Sequence, residues 1–219
     1  MKNFQFSMRG GSLLSLLILV VFALGCSMDG AENVQDFENL KGSENLSKVF
    51  NSLDANPEFA EDFREALDRS KQNPTSLIDA EIMLRSNKKW ASIVNGGGNM
   101  NESTFYFSGY YISFQAKESQ EGEDVGSIEF TDEEGEVVGY GVIDCLYVVG
   151  NEVFIRFVVD DSYYYIGFED NGEGANADPD MYTDTYIGFG NPSCEDFADF
   201  IWGINGIDKV WYEGNVQVD

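Results

Sequence analysis

The feature that most constrains this chain is a run of three candidate strands between residues 141 and 168. Gly141 to Val149 and Val153 to Val159 are rich in β-branched and aromatic residues, which favour strands. The pair Gly150-Asn151 between them tolerates positive φ and suits a two-residue hairpin turn. Tyr163 to Phe168 continues the same composition. A hairpin followed by a third strand is therefore predicted at the centre of the fold.

Alternation of apolar and polar residues extends this pattern over residues 104–219. The further strand candidates are Thr104 to Gln115, Ser127 to Thr131, Glu136 to Val149, Met181 to Phe189, Lys209 to Tyr212 and Asn215 to Val218. Phe197, Phe200, Ile201 and Trp202 are predicted to form a short helix or a packed loop after Cys194. Many short strands at close spacing predict an antiparallel sandwich or a small closed barrel, and alternation alone does not separate these two.

Residues 34–94 instead show the spacing of helices. A first apolar series runs from Val34 to Leu53, and Asn56-Pro57 is a cap and first turn for a second helix. A third helix is predicted after Asn73-Pro74, with Leu77, Ile78, Ile82 and Met83 facing inward. The apolar faces of these helices are predicted to pack on each other or on the sheet; the alternative is a docking surface for a partner helix.

The run Asn95-Gly96-Gly97-Gly98-Asn99 has no structural preference of its own and indicates a linker over residues 95–103. A domain boundary is therefore predicted there. The predicted fold class is α+β with the two parts segregated: a helical N-terminal segment over 34–94 and an antiparallel all-β domain over 104–219.

The chain begins with the pattern of a secretory signal over residues 1–25. Lys2 and Arg9 precede a short apolar run from Leu13 to Leu24, about half the length that spans a bilayer. It ends in Ala23-Leu24-Gly25-Cys26, which resembles a bacterial lipoprotein signal. That resemblance implies lipid on Cys26, a tether over 26–33, and a protein anchored in the bacterial cell envelope facing the periplasm or the exterior. The alternative is ordinary secretion with an incidental Cys26.

Cysteine arithmetic agrees with this prediction. Three cysteines leave one unpaired in an oxidising compartment, and a lipidated Cys26 leaves Cys145 and Cys194 as a pair. A disulfide between them would close 49 residues of chain, for a stabilisation of about 4 kcal/mol. The alternative is two buried free thiols.

Four stretches together resemble a recurrent β domain of secreted bacterial proteins. They are residues 142–151 with the first Cys and the Gly-Asn turn, the loop from Asp170 to Asp180, Cys194, and Gly-Asn-Val-Gln-Val at 214–218. The resemblance covers about Phe105 to Val218. It implies a β fold and secretion, and no established activity.

Charge and composition exclude several functions. The net charge is −26, and residues 102–219 hold 26 acids but only Lys117, Arg156 and Lys209 as bases, a net −23. Such a surface repels nucleic acid. The chain has no His, which removes Ser-His-Asp triads and His-bearing zinc sites. A non-enzymatic protein without nucleic-acid partners is predicted.

The loop from Asp170 to Asp180 is the candidate cation site. It offers Asp170, Glu173, Asp178 and Asp180, with Asp184 shortly after, and Ca²⁺ prefers such oxygen ligands. The spacing is not that of an EF-hand. The alternative, which we favour, is a surface turn in which Asp170 and Asn171 bond neighbouring backbone amides, so no cofactor other than a candidate Ca²⁺ is predicted.

Three functions remain open for the β domain. The first is non-catalytic binding of a glycan or protein, or a structural role; tyrosines that reach solvent suit such interfaces, although core packing is the simpler explanation of most of them. The second is a carrier that encloses a small apolar ligand in a barrel cavity. The third is a glycan hydrolase that uses paired carboxylates, with Asp144, Glu152 and Glu169 as candidates.

Overall fold

The computed structural model describes residues 46–53, 55–72, 74–86, 88–100, 110–172, 177–211 and 214–218. Within them lie three helices and eleven strands. The helices are α1 (Pro57–Gln72), α2 (Thr75–Leu84) and α3 (Cys194–Ile204). The strands are β1 (Phe50–Ser52), β2 (Trp90–Asn99), β3 (Tyr111–Ser119), β4 (Asp124–Thr131), β5 (Val137–Val149), β6 (Glu152–Val159), β7 (Ser162–Glu169), β8 (Met181–Tyr182), β9 (Tyr186–Gly188), β10 (Lys209–Val210) and β11 (Gly214–Val218).

All strands belong to one antiparallel sheet, which confirms the predicted fold class. Its order is β1-β9-β7-β6-β5-β4-β3-β2-β11, and β8 pairs with β7 and with β10. The central strands follow chain order because each is joined to the next by a short turn. The predicted hairpin is present: Val149 pairs with Glu152 around Gly150, which has a φ of 65°.

The sheet curls around an apolar core, so that it is barrel-like. Phe114 on β3 stacks on Phe168 on β7 with ring centroids 4.8 Å apart, although three strands separate β3 from β7 in the sheet. Phe63 of α1 inserts from the side, 4.6 Å from the ring of Tyr164 and 5.5 Å from that of Phe130. Aromatic side chains therefore occupy the interior of the curled sheet.

The edge strand β11 is covered by carboxylates of the loop that follows β7. The amide of Val216 donates to Asp180 Oδ2 at 2.6 Å, and the amide of Val218 donates to Asp170 Oδ2 at 3.2 Å. At this edge of the sheet, the carboxylates of Asp170 and Asp180 thus take the place of a neighbouring strand. They accept hydrogen bonds from amides that would otherwise be buried without partners.

A second apolar cluster lies under α3, which confirms the predicted helix. Ser193 caps its first turn by accepting from the amide of Asp196, whose carboxylate accepts from the amide of Ser193. Cys194 is bonded to Cys145 on β5, with Cα atoms 6.0 Å apart, so the predicted disulfide is confirmed. Phe197 packs between Phe50, Phe154 and the neighbouring tyrosines.

The prediction of a linker over 95–103 was wrong for residues 95–99, which lie in β2 between β3 and β11. Residues 101–103 lie outside the described residues. The glycines serve close packing: a Cβ on Gly98 would run into Gly214 and the indole of Trp211, and a Cβ on Gly96 would lie 2.5 Å from Phe114. No domain boundary falls at this run, because the described residues on both sides of it belong to one compact unit.

The helical predictions are partly confirmed. The helices α1 and α2 begin at Pro57 and Thr75 as expected, and Phe63 and Leu67 of α1 are buried. Phe50–Ser52, however, is a strand rather than part of a first helix, because it pairs with β9. The first part of that predicted helix, residues 34–45, lies outside the described residues.

The inward orientation predicted for the apolar residues of α2 was wrong. Ile78 is 53% exposed and Ile82 63% exposed, and Met83 is exposed as well. This helix packs on the outer face of the sheet, where it buries only Ala80 and Leu84 against Val125. The sheet's outer face is largely polar there, so the helix finds little apolar surface to cover.

Candidate functional site

The outer sheet surface carries a groove of about 640 Å³ beside α2, which we call the polar groove. Its floor is formed by β11, β2, β3, β4 and β5, and Leu77 and Glu81 of α2 stand at one side. This volume lies within the range of small-molecule binding sites, roughly 300–1,000 Å³.

The floor of the polar groove consists of two rows of cross-strand neighbours. The first row, from β11 to β4, is Gln217, Asn95, Gln115 and Ser127. The second row, from β11 to β5, is Asn215, Gly97, Ser113, Glu129 and Tyr140. Gly97 adds no side chain to the second row, and the hydroxyl of Tyr111 lies 3.3 Å from the position that a Cβ there would occupy.

Strand alternation explains why these side chains share one face. On β3 the neighbours Ile112, Phe114 and Ala116 are buried in the core, so Tyr111, Ser113 and Gln115 must point outward. On β11 the buried residue is Val216, which turns Asn215 and Gln217 to the outer surface. The apolar core thus determines which polar residues line the groove.

Among the described residues, several of these polar groups have no partner. Gln115 Nε2 donates to Asn95 Oδ1 at 2.6 Å. Among the described residues, the side chains of Asn215, Gln217 and Glu129 make no hydrogen bond or ion pair. Side-chain amides both donate and accept, so they can serve a ligand that itself carries many hydroxyl or amide groups.

The electrostatics of the polar groove select against anions. Its lining, as far as the described residues form it, contains the carboxylates of Glu81 and Glu129 but no Lys or Arg. The three bases of residues 102–219 are used elsewhere: Arg156 pairs with Asp144, Lys209 pairs with Asp184, and Lys117 donates to the carbonyl of Leu84. The arrangement therefore suits an uncharged or cationic ligand.

A second groove of about 400 Å³ adjoins the first. Leu77 and Tyr140 line both. The rest of the second groove comes from the end of α1, from β5 and β6, and from the turn after β6, where Asp160 and Asp161 both have positive φ. Arg69 of α1 pairs with Asp160 at this turn.

The candidate cation ligands are largely engaged with the backbone. Asp180 is only 4% exposed, and its two oxygens accept from the amides of Asn171 (2.9 Å) and Val216 (2.6 Å). Asp170 accepts from the amides of Gly172 and Val218. Asp178 is exposed, and Glu173 lies outside the described residues.

The favoured alternative holds for Asp170, which accepts from the amide of Gly172, whereas the side chain of Asn171 donates to the carbonyl of Pro179 instead of bonding an amide. Within the described part of the chain, no group of three or more acidic, His or Cys side chains has the geometry to hold a metal. Asp184 is not part of this turn but pairs with Lys209 at 2.8 Å. A Ca²⁺ ion at this loop stays a prediction.

The three carboxylates considered for hydrolysis do not meet in one groove. Glu152 and Glu169 are direct cross-strand partners, and Glu152 accepts from Trp202 Nε1 at 2.7 Å. Asp144 lines the second groove and holds Arg156 through two hydrogen bonds of 2.7 and 3.1 Å.

Four of the nine described tyrosines, Tyr164, Tyr165, Tyr182 and Tyr186, are buried in the interior, as the simpler explanation holds for them. Tyr164 and Tyr165 are both buried, although they point to opposite faces of β7, because the core covers one face and the α3 cluster covers the other. Burial raises the pKa of Tyr164 to about 12 and raises that of Tyr165 further. Tyr163 is half-buried beneath Arg156, and Tyr111, at the rim of the polar groove, is 45% exposed.

One buried carboxyl stands apart from these sites. Asp124, at the start of β4, accepts from the amide of Leu146 at 2.9 Å, opposite the β-bulge between Ile143 and Cys145. Burial raises its pKa to about 6, and the nearby charges of Glu118 and Asp144 add to the shift.

Sequence reasoning missed the polar groove altogether. Its amides come from segments far apart in the chain, and one of those segments had been assigned to a linker. The signal that existed was alternation: polar residues at 111, 113 and 115 and at 215 and 217 flank apolar ones. The site follows only from the strand register, which places Asn95 beside Gln115 and Gln217.

Comparison with protein-family models, with curated proteins and with solved structures gives no match for this chain. The described residues contain no helix that is both long and apolar enough to cross a membrane. Cys26 and the predicted signal lie outside the described residues.

Proposed function

We propose that this protein is a lipid-anchored component of the bacterial cell envelope whose β domain binds an uncharged glycan, without catalysis, in the polar groove. The observation that carries the proposal is the pair of cross-strand rows in which Asn215, Gln217 and Glu129 lack partners among the described residues. Asn215 and Gln217 are exposed and Glu129 is half-buried, so their amide and carboxylate groups are available to donate to and accept from a polar ligand.

The chemistry of the groove supports a glycan in particular. Side-chain amides and carboxylates can bond sugar hydroxyls as donors and acceptors, and the exposed ring of Tyr111 offers a surface for the apolar face of a sugar. Between Asn215 and Ser113, Gly97 contributes no side chain, and the hydroxyl of Tyr111 reaches this position, where it can bond a sugar hydroxyl.

The interior weighs against a carrier function. Phe63, Phe114, Phe157, Phe168 and Trp211 are packed together inside the curled sheet, where an apolar ligand would have to lie. The two described grooves lie instead on the outer surface.

The envelope location rests on the sequence: the resemblance of Ala23-Leu24-Gly25-Cys26 to a lipoprotein signal, and a disulfide of the kind that persists in oxidising compartments. It is tested by metabolic labelling with palmitate in a bacterial host. We expect the wild type to incorporate label and to sediment with membranes, and Cys26→Ser to do neither. Wild-type protein that is unlabelled and released in soluble form would instead support ordinary secretion.

The binding function is tested by calorimetric titration of the full chain with neutral oligomers of glucose and of N-acetylglucosamine. The double variant Asn215→Ala/Gln217→Ala is expected to lose at least about tenfold in affinity, equivalent to about 1.4 kcal/mol. Gln72→Ala is the matched control, because it removes an exposed amide that lies outside both grooves. The proposal fails if no member of the panel binds, or if the double variant binds as tightly as the control.

A further inference from the structure

The two grooves meet at one point on the outer surface. Leu77, in the first turns of α2, and Tyr140, on β5, line both of them. From there the polar groove extends across β4, β3 and β2 to β11, and the second groove extends to β6. Together they cross six neighbouring strands, which at the usual strand spacing of about 4.8 Å amounts to about 24 Å.

We infer that the ligand is a linear chain of uncharged sugars that occupies the polar groove and continues past Tyr140 and Leu77 into the second groove. This inference rests on the proposed function, because it assigns a length and a direction to the glycan proposed for that site. A distance of about 24 Å is several sugar rings long, so a single sugar would fill only part of the path.

Tyr140 is suited to the junction. Its backbone amide donates to Ser70 Oγ at 2.9 Å, which fixes the strand against the end of α1. The residue is half-buried and lines both grooves, so its partly exposed side chain can contact a ligand that passes from one groove to the other.

A peptide chain fits this surface less well. Extended peptides bind to sheets by adding a strand to an exposed edge. Both grooves lie on the face of the sheet, and at the nearby edge the amides of Val216 and Val218 already donate to Asp180 and Asp170. A ligand on the face must bring its own hydrogen-bonding groups along its whole length, as a sugar chain does.

The charges along the path exclude acidic glycans. The polar groove contributes Glu81 and Glu129, and the second groove contributes Asp144, Asp160 and Asp161. The one cationic side chain along the path is Arg69, and it is paired with Asp160 and Glu65. Chains of uronic acids or sulfated sugars would therefore be repelled.

The inference is tested with two variants that fill one groove each. Ser113→Trp places an indole on the floor of the polar groove, and Val158→Trp places one on the floor of the second groove, where no residue of the first is altered. Both positions are on the outer face of their strands, and circular dichroism and thermal melting verify that each variant folds. The full chain is titrated with neutral glucose and N-acetylglucosamine oligomers from monosaccharide to octasaccharide, with polygalacturonate, and with an extended polar peptide.

We expect the affinity of the wild type to rise with chain length, by at least tenfold between the shortest oligomer that binds and the octasaccharide. Val158→Trp should keep the affinity for short oligomers and abolish the rise, while Ser113→Trp should abolish binding of all of them. Equal affinity for short and long oligomers, or a rise that survives Val158→Trp, would overturn the inference but leave the proposed function intact. Binding of no oligomer, or binding of the peptide or polygalacturonate that Ser113→Trp abolishes, would overturn both.

Discussion

The acid-rich loop after β7 and the polar groove use similar side chains in opposite ways. In the loop, Asp170 and Asp180 direct every carboxylate oxygen at a backbone amide, two of which belong to β11. In the groove, Asn215 and Gln217 extend from that same strand and have no partner among the described residues. One edge of β11 is thus part of the fold, and its outer face is available to a ligand.

The difference teaches that residue type alone does not mark a functional site. The loop is rich in oxygen ligands and glycine, which is typical of a cation site, but its carboxylates stabilise the structure. The residues that lack partners are amides, which occur throughout ordinary proteins. The useful test is whether each polar group already has its hydrogen bonds.

The largest effect is expected when the buried carboxylate of the loop is removed, which tests whether the loop supports β11. Asp180→Ala leaves the amide of Val216 without an acceptor in a buried place and also frees the amide of Asn171. We expect the free energy of unfolding to fall by about 3 kcal/mol, measured by urea denaturation. Asp178→Ala, which changes an exposed acid of the same loop, should alter it by less than about 0.5 kcal/mol. Equal effects of the two changes would show that the loop does not support β11.

The two faces of β2 offer the next contrast. Gly98→Ala forces a methyl group into Gly214 and Trp211 and should cost about 2 kcal/mol through overpacking. Gly97 faces the groove, and the Cβ added by Gly97→Ala would lie 3.1 Å from the carbonyl oxygen of Ile112. This substitution should therefore lower the free energy of unfolding by clearly less. Thermal melting of both variants measures the difference. If neither substitution mattered, residues 95–99 would behave as the linker first predicted.

Asp124 contrasts with the carboxylates of the loop, because folding favours its protonated form and opposes its charged form. Its pKa is raised to about 6, so the folded protein binds its proton more tightly than the unfolded chain does. This contribution to stability is fully present below about pH 4 and is lost as the pH rises to about 6.

We therefore expect Asp124→Asn to be more stable than the wild type at pH 7, by about 1 kcal/mol after allowance for solvent screening at this half-buried position. Denaturation at pH 4 and pH 7 measures the change, and the gain should shrink at the lower pH. A variant that is less stable at both values would show that the charge of Asp124 supports the fold.

The groove residues should contribute little to stability. Because Asn215 and Gln217 are exposed and without partners among the described residues, Asn215→Ala/Gln217→Ala should change the free energy of unfolding by less than about 0.5 kcal/mol per site. Denaturation in urea, run beside Asp180→Ala, measures this directly. A loss as large as that of Asp180→Ala would mean that the groove is part of the scaffold rather than a site.

The smallest effect is expected from calcium. Since both oxygens of Asp180 and both of Asp170 already accept amide hydrogens, millimolar CaCl₂ should leave the melting temperature unchanged relative to an equal ionic strength of NaCl. A rise that Asp178→Ala removes would instead establish the predicted cation site at this loop.

Local signals predicted what depends on local chemistry. The hairpin at Gly150, the start of α1 at Pro57 and the cap of α3 follow from turn and cap residues that act within a few positions. The strand state of residues 95–99 could not be predicted in this way, because it depends on Phe114, Trp211 and Gly214, which are distant in sequence. The exposure of the apolar residues of α2 could not be predicted either, because it depends on which face of the sheet the helix packs against.

The carboxylates that bond to β11 also bear on how this protein behaves among its own copies. An uncovered edge strand offers a template on which a second molecule can add its own strand, and growth can then continue into aggregates. Here the exposed amides at one end of the sheet are already occupied by Asp170 and Asp180, and the strand at the other end, β1, is only three residues long. Neither end favours edge-to-edge polymerisation, so the chain can be crowded without joining its sheets.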